Sequence, residues 1–451
     1  MKSKSLNSNV DLINGPIFKS LILFALPLFV SNIFQQLYNT VDTMIVGNYL
    51  GDVSLAAIGS CTSIYDLLVG FALGIGNGLA IVTARSYGSK DERLLKKSVA
   101  SSIIIGIVVS ISISIIGLIF LKPLLHLLNT PLNIINEAYS YIFFIVLFII
   151  VMFAYNLCAG LMRAIGNSVM PLVFLIISSL LNIILDILFI TQFNMGIKGA
   201  AIATVMSQGV SVILCVIYIY KKATLLLPSK EDFKIDKDLY KELLGQGFSM
   251  GLMSSIVSAG SVILQYGINN LGYLTIAGHT AARKIYMFFN MPFTSMALAI
   301  STFVSQNKGA NQKDRIKKAL RYAYIYDVVG AFIVTVIILL FGSTLVKLIS
   351  GSNQEVVLHN GTLYLTIVGP FYAILGILMQ TRYALQGIGQ KLLPLVSSVI
   401  EFFGKIIFVI FFIPRFQYLA VIFCEPVIWC VMTLQLLYSF YNNPYIKERA
   451  K

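Results

Sequence analysis

Residues 17–46 read IFKSLILFALPLFVSNIFQQLYNTVDTMIV. As a helix, this apolar run is long enough to cross the roughly 30 Å of hydrocarbon in a bilayer. Its second half carries Asn32, Gln35, Gln36, Asn39, Asp42 and Thr43 at intervals of three and four, which gathers most of them on one face with Tyr38. A lone helix in lipid would not tolerate that stripe, so it must face other helices or water. Asn39, on this face, is expected to line a cavity. Pro27 removes a backbone hydrogen bond from the same helix and predicts a kink or hinge.

The rest of the chain repeats this chemistry. Hydrophobic residues make up 57% and charged residues 12%, and mean hydropathy is +0.85, whereas a soluble domain carries about 25% charge. Long apolar runs recur from Ile17 to Phe440, and the alternation over about ten residues that marks a membrane β-barrel is absent. Helices are then the spanning option, and the chain reads as an all-α integral membrane protein. Spans are expected near 17–46, 54–84, 94–121, 135–162, 168–191, 197–220, 242–271, 274–304, 317–342, 356–381, 392–413 and 418–440, twelve transmembrane helices in all. The polar N-terminal residues MKSKSLNSNVDLINGP precede a long first span without a small-residue cleavage site, so that span is expected to stay as an anchor. Cys61, Cys158, Cys215, Cys424 and Cys430 lack metal spacing and read as small hydrophobes.

A net charge of +14 can signal nucleic acid, but its placement follows the membrane. Lys122, Lys198, Lys347 and Arg415 fall in one set of loops, and Arg283, Lys284 and Lys405 lie within spans. The remaining Lys and Arg sit at the termini, in the alternate loops or at the span ends that border them. The positive-inside rule then puts both termini in the cytoplasm of a multi-pass protein of the inner (plasma) membrane. Headgroup attraction explains the basic charge without a nucleic-acid partner.

The stretch KKATLLLPSKEDFKIDKDLYKE at 221–242 is polar and of mixed charge, and reads as a linker. It divides the chain into an N-terminal lobe, 1–220, a cytoplasmic linker, 221–241, and a C-terminal lobe, 242–451. The halves resemble each other. A shift of 221 pairs Leu50-Gly51 with Leu271-Gly272, Ile64-Tyr65 with Ile285-Tyr286, Gly88 with Gly309 and Lys96-Lys97 with Lys317-Lys318. A shift of 223 pairs Ile165-Gly166 and Pro171-Leu172 with Ile388-Gly389 and Pro394-Leu395. Six spans per half make the repeats parallel, related by an axis along the membrane normal. Two pseudo-symmetric six-helix lobes with a cavity between them are expected.

Ionisable groups inside spans cost about 2.5 to 3.5 kcal/mol each on insertion scales, so each needs a reason. Asn182 and Asp186 stand at i, i+4 on the fifth span. With Asp42 they offer two carboxyls and an amide. Such a sequestered pair favours holding a proton; alternatively its oxygens, with Asn182 and Thr204, suit Na⁺ as a metal site. The second half does not repeat this set, since Asp42 becomes Ile263, Asn182 becomes Lys405 and Asp186 becomes Val409. Glu401 and Lys405 stand at i, i+4 in the favourable order for a structural ion pair. Arg283 and Lys284 bring positive charge that can select anionic groups, which makes Arg283 a candidate cavity residue. His279, Asp327 and Glu425 are further interior groups, and Asp66 reads as either a cavity residue or a helix-end cap. The chain has no ATP-binding Gly-x4-Gly-Lys-Ser/Thr loop, His-Glu-x-x-His motif or Gly-x-Ser-x-Gly elbow. Energy must then come from a gradient or a partner chain, and an enzyme is the weaker reading.

At QQLYNTVDTMIVGNYLG, AAIG, LMRAIGNSVMPL and NIILD the chain resembles the multidrug and toxic compound extrusion (MATE) exporters, in particular bacterial and archaeal members with a cation site in the N-terminal lobe. The resemblance covers nearly the whole chain. It implies a V-shaped pair of six-helix lobes and antiport of H⁺, the expected ion, or Na⁺ against bulky, often cationic and aromatic compounds, by alternating access and without a cofactor. It places the coupling cation at Asp42, Asn182 and Asp186 with Thr204 beside them, puts Gln35 and Tyr38 in the cavity lining, and makes Pro27 the kink that bends on protonation. The branch with an acidic residue in the seventh span is not matched: 242–271 has no interior carboxylate, and Gln265 is its nearest polar residue. Flippases for lipid-linked sugars share the wider superfamily and supply the alternative function. Expected partners are small-molecule drugs or organic cations and the lipid bilayer, and the chain is expected to act as a monomer.

Overall fold

The computed structural model describes residues 9–128 and 130–447. The terminal segments 1–8 and 448–451, whose cytoplasmic location the charge pattern predicts, lie outside the described residues. Fifteen α-helices lie among the described residues, and the one β-type pairing there is an isolated bridge between Asn9 and Asn167. In chain order they are α1 (Ile17–Leu50), α2 (Asp52–Gly88), α3 (Glu92–Leu127), α4 (Ile135–Leu147), α5 (Ile149–Ala164), α6 (Val169–Ile187), α7 (Ile197–Lys222), α8 (Lys237–Asn269), α9 (Tyr273–Gly309), α10 (Lys313–Ser350), α11 (Glu355–Val368), α12 (Tyr372–Gly387), α13 (Leu392–Ile407), α14 (Ile413–Tyr441) and the short α15 (Pro444–Lys447). Local chemistry sets their ends. The Asp91 side chain accepts from the Leu94 N–H at 2.9 Å and starts α3; Gly351, at φ 63°, ends α10 in the left-handed region.

Ten stretches are long and apolar enough to cross a bilayer, and α4 with α5, bent by 48°, makes an eleventh. The longest, 50 residues from Leu392 to Tyr441, would extend about 75 Å as a straight helix, more than twice the hydrocarbon thickness. Gln417, at φ 53° and ψ −133°, breaks it into two. The described residues thus hold the twelve spans of a multi-pass membrane protein. Exposed apolar side chains such as Ile119 and Phe120 on α3, or Phe332 and Leu340 on α10, suit a lipid solvent, where an apolar outer face needs no partner.

The chain forms two compact units, one built on Leu23–Ser255, the other on Ile256 onward joined by Pro16–Ile22. In the first, α2 packs against α3, α4 and α5, while α7 packs against α4, α5 and α6. Lipid supplies no hydrophobic drive between helices, so close approach through small residues does the work. Gly74 and Gly78 of α2 meet Gly247 and Gly251 of α8: a Cβ on Gly78 would lie 2.6 Å from the Gln246 carbonyl oxygen, and one on Gly74 2.7 Å from that of Met250. Arg85 and Glu242 form a salt bridge between the same two helices. The stretch between α7 and α8 is docked rather than loose. Leu226 is buried, short 3-10 turns at Thr224–Leu226 and Lys230–Phe233 pack on α3, and Lys97 reaches Asp236 at 3.6 Å. In the second unit α9 is central, packed against α10, α11 and α12, with α13 against α14.

The repeat is written in the backbone. Positive φ angles recur in pairs at the two sequence shifts: Gly51 and Gly272 (83° and 88°), Lys90 and Asn311 (59° and 56°), Gly166 and Gly389 (89° and 95°), Asn194 and Gln417 (50° and 53°). A π-helical turn follows both α6, at Leu188–Gln192, and α13, at Phe408–Phe412. Side chains do not follow so strictly. Gly106 on α3 makes room for the Phe153 ring of α5, while at the matching place Gly376 on α12 makes room for Asp327 of α10. The bulky partner has changed sides, which conserves the fit while altering the chemistry.

Candidate functional site

Within the first unit α1 turns Tyr38 towards Thr204 of α7 and Asp42 towards Asp186 of α6, while Asn39 of the same stripe is exposed. Asp42 is 8% exposed, and Asn182 and Asp186 are fully buried. The two carboxyls, from α1 and α6, lie within electrostatic range of each other. In the amide orientation that satisfies both of its polar atoms, Asn182 donates to Asp186 Oδ2 at 2.9 Å and accepts from the Thr204 N–H at 3.1 Å. The Thr204 hydroxyl is 3.2 Å from the Tyr38 hydroxyl. Asp42 and Asp186 each keep one oxygen, Oδ1, that is buried and makes no hydrogen bond. A buried carboxyl oxygen without a donor is an acceptor that a proton or a cation satisfies. The phenols of Tyr65 and Tyr141 lie within electrostatic range of Asp42.

A small cleft adjoins this cluster, lined by Gln35, Tyr38, Leu175, Ser178, Ser179, Ser207 and Gln208. Gln35 donates to Asn39 at 3.5 Å along the exposed side of α1. Pro27 lies one turn into the first unit, just past the boundary at Leu23; lacking an N–H, it leaves the Leu23 carbonyl without its helical donor. The Ser31 hydroxyl donates to the Pro27 carbonyl at 2.8 Å. Asp66 is exposed near the middle of α2, so the helix-end cap considered for it does not exist.

The second unit holds charge of another kind. Arg283 on α9 donates through Nη1 to Glu425 Oε2 on α14 at 2.6 Å and to the Tyr364 hydroxyl at 3.1 Å. Its guanidinium lies 4.5 Å over the Tyr286 ring. Lys405 Nζ donates to Glu401 Oε1 at 2.8 Å and stands 3.7 Å from Glu425 Oε1. Arg382 donates through Nε to Ser397 at 3.0 Å, with Nη2 at 4.0 Å from Glu401 Oε2. The expected i, i+4 pair is thus the middle of a chain running from Arg283 to Arg382. His279 Nδ1 is 3.2 Å from the Tyr418 hydroxyl, and Asp327 accepts from Gln380 at 3.1 Å.

A single family model, MatE, matches the chain twice, at residues 27–188 and 250–411. The chain belongs to the MatE family. The two MatE segments stand at the same shift of 223 that links Gly166 with Gly389 and Asn194 with Gln417. A probable multidrug resistance protein of Bacillus subtilis (YoeA) is 27% identical over 446 residues, covering 96% of this chain and 95% of that protein. The multidrug export protein MepA of Staphylococcus aureus (strain N315) is 23% identical over 427 residues, with 94% and 92% covered. Among solved structures, an outward-facing multidrug resistance MATE family transporter of the MOP superfamily matches with a TM-score of 0.86 at 23% identity, covering 96% of this chain and 98% of that one. A MATE crystal structure in the bent conformation matches with a TM-score of 0.85 at 23% identity, covering 97% and 98%. These likenesses establish the MATE fold.

Sequence reasoning did not find several residues of this MatE chain. Tyr65, Tyr141, Ser178 and Ser207 surround the carboxyl pair or its cleft, yet aromatic and small hydroxyl residues are common in apolar spans and carry no distinguishing signal. The partners of Arg283 were equally out of reach, because Glu425 lies 142 positions away and no helical spacing connects them.

Proposed function

We propose that the protein exports small organic compounds, cationic aromatic ones among them, by cation antiport across the plasma membrane, as a monomer with both termini in the cytoplasm. The meeting of Asp42 and Asp186 carries this reading. A proton entering from the outside takes a place on the carboxyl pair, with Asn182 and Thr204 orienting its oxygens, and its arrival weakens substrate binding in the adjoining cleft. Substrate leaves, and the loaded carrier exposes the pair to the cytoplasm and resets. H⁺ is favoured over Na⁺ because two neighbouring buried carboxyls repel when both are ionised, and a proton held by the pair relieves that repulsion. The freed Leu23 carbonyl below Pro27 suits a hinge in α1, and relatives of the same fold bear names that describe bent and straight conformations. The names of the relatives, multidrug resistance and export proteins, support the substrate class.

The deciding experiment imposes single gradients on proteoliposomes preloaded with ethidium. An acid-outside pH difference should drive dye movement, and the drive should vanish in Asp42→Asn and Asp186→Asn at matched incorporation. Movement driven by Na⁺ alone would reject the proton reading, and wild-type movement in both variants would reject the site.

A further inference from the structure

In the second unit, Arg283, Lys405 and Arg382 meet Glu401 and Glu425 in one connected chain. At formal charge this leaves one positive charge over, inside a membrane-spanning bundle where an unbalanced charge is costly. Nearby groups do not cancel it. His279 is bonded to Tyr418, and Asp327 is bonded to Gln380 instead. One donor is left over as well: Arg382 Nη2 is buried and makes no hydrogen bond.

We propose that this cluster recognises a carboxylate carried by the exported molecule, with Arg283 as the group that receives it. The proposal rests on the export reading and adds zwitterionic or anionic compounds to its substrates. Exposure singles out Arg283, whose side chain is 32% exposed while that of Lys405 is 2% exposed. Glu425 can release it without being stranded, because Glu425 Oε1 already faces Lys405 at 3.7 Å while Oε2 holds Arg283. The group now seated on the guanidinium is itself a carboxylate, and a planar fork selects for that shape. An incoming carboxylate thus takes over the bond that Glu425 gives up and brings the cluster to neutrality. The first half has no equivalent: Ser178 and Asn182 stand where Glu401 and Lys405 do, and Ile202 where Glu425 does.

A matched dye pair tests this on the purified full-length chain by fluorescence polarisation. Rhodamine 110 bears a free carboxylate, and rhodamine 123 is its methyl ester. Wild type should bind rhodamine 110 more tightly by at least about tenfold, the factor carried by 1.4 kcal/mol. Arg283→Gln should bring the ratio to about one, and Arg283→Lys should keep much of it. Glu425→Gln should raise the ratio, since Arg283 is then less firmly held; this variant decides the matter if Arg283→Gln does not accumulate, and an unchanged or lower ratio overturns the site. A wild-type ratio at or below one, or a preference that persists in Arg283→Gln, overturns the anion site while the export reading stands. Binding of neither dye counts against both.

Discussion

Asp42 and Asp186 stood out in the sequence because a carboxyl inside an apolar span is expensive wherever it lies, and the polar stripe around Asp42 showed which face it used. What each carboxyl touches was not legible, since α1, α6 and α7 approach one another only in the folded bundle. The hydroxyl pair Tyr38 and Thr204, 3.2 Å apart and buried, offers a direct check. Tyr38→Phe or Thr204→Val leaves one buried hydroxyl partnerless or removes it, at about 1 kcal/mol. Thermal unfolding of the purified protein should show the double variant no less stable than the sum of the singles, with a coupling of about 0.5 kcal/mol or more. Strict additivity would mean that the hydroxyls do not interact. The Arg283 to Glu425 pair shows the opposite kind of legibility: each residue was visible as a charge inside an apolar span, but the pairing was not.

Helix starts were read from apolar runs to within about five residues, while α3, α10 and α12 run on to Leu127, Ser350 and Gly387, past the expected ends at 121, 342 and 381; the break at Gln417 falls where the last two spans were expected to part. Helix contacts depend instead on shape. Gly78 of α2 touches the backbone of α8, whereas a Cβ on Gly59 of the same helix would meet nothing within 4 Å. Gly59→Ala should therefore be neutral or stabilising by up to about 1 kcal/mol through helix propensity, while Gly78→Ala should push α2 and α8 apart and lower the unfolding temperature. A melting series that ranks them the other way would contradict the close packing of the two helices. Between α7 and α8 the Asp232 carboxyl accepts from the Ser229 hydroxyl at 2.7 Å and the Ser229 N–H at 2.8 Å, and these bonds hold it below the usual carboxylate range. A lowered folded value means the carboxylate supports the docked turn at neutral pH, and that support is lost as pH falls through the folded value, below 3.8. Amide exchange over 224–236 should rise there, and should already be raised at pH 7 in Asp232→Ala.

At the scale of the whole molecule the halves share a backbone and differ in chemistry. The positive-φ pairs, the two π-helical turns and the double family match repeat one scaffold, but one half holds a carboxyl pair and the other a chain of fixed ions. On the proposed function, one exchangeable proton site per chain is expected. Proton release on substrate binding, followed with an indicator dye in weakly buffered detergent solution, should approach one per protein and disappear in Asp186→Asn; two protons per chain would require a second site in the other half. Hydropathy and the two sequence shifts determined the spans and the repeat, because these are properties of residues counted along the chain against a bilayer of known thickness. Tertiary structure alone decided which carboxyl meets which, where glycines let helices touch, and how Arg283, Glu425, Lys405, Glu401 and Arg382 join. Those contacts tie residues from different helices, and nothing in the local spacing of a helix specifies its neighbour.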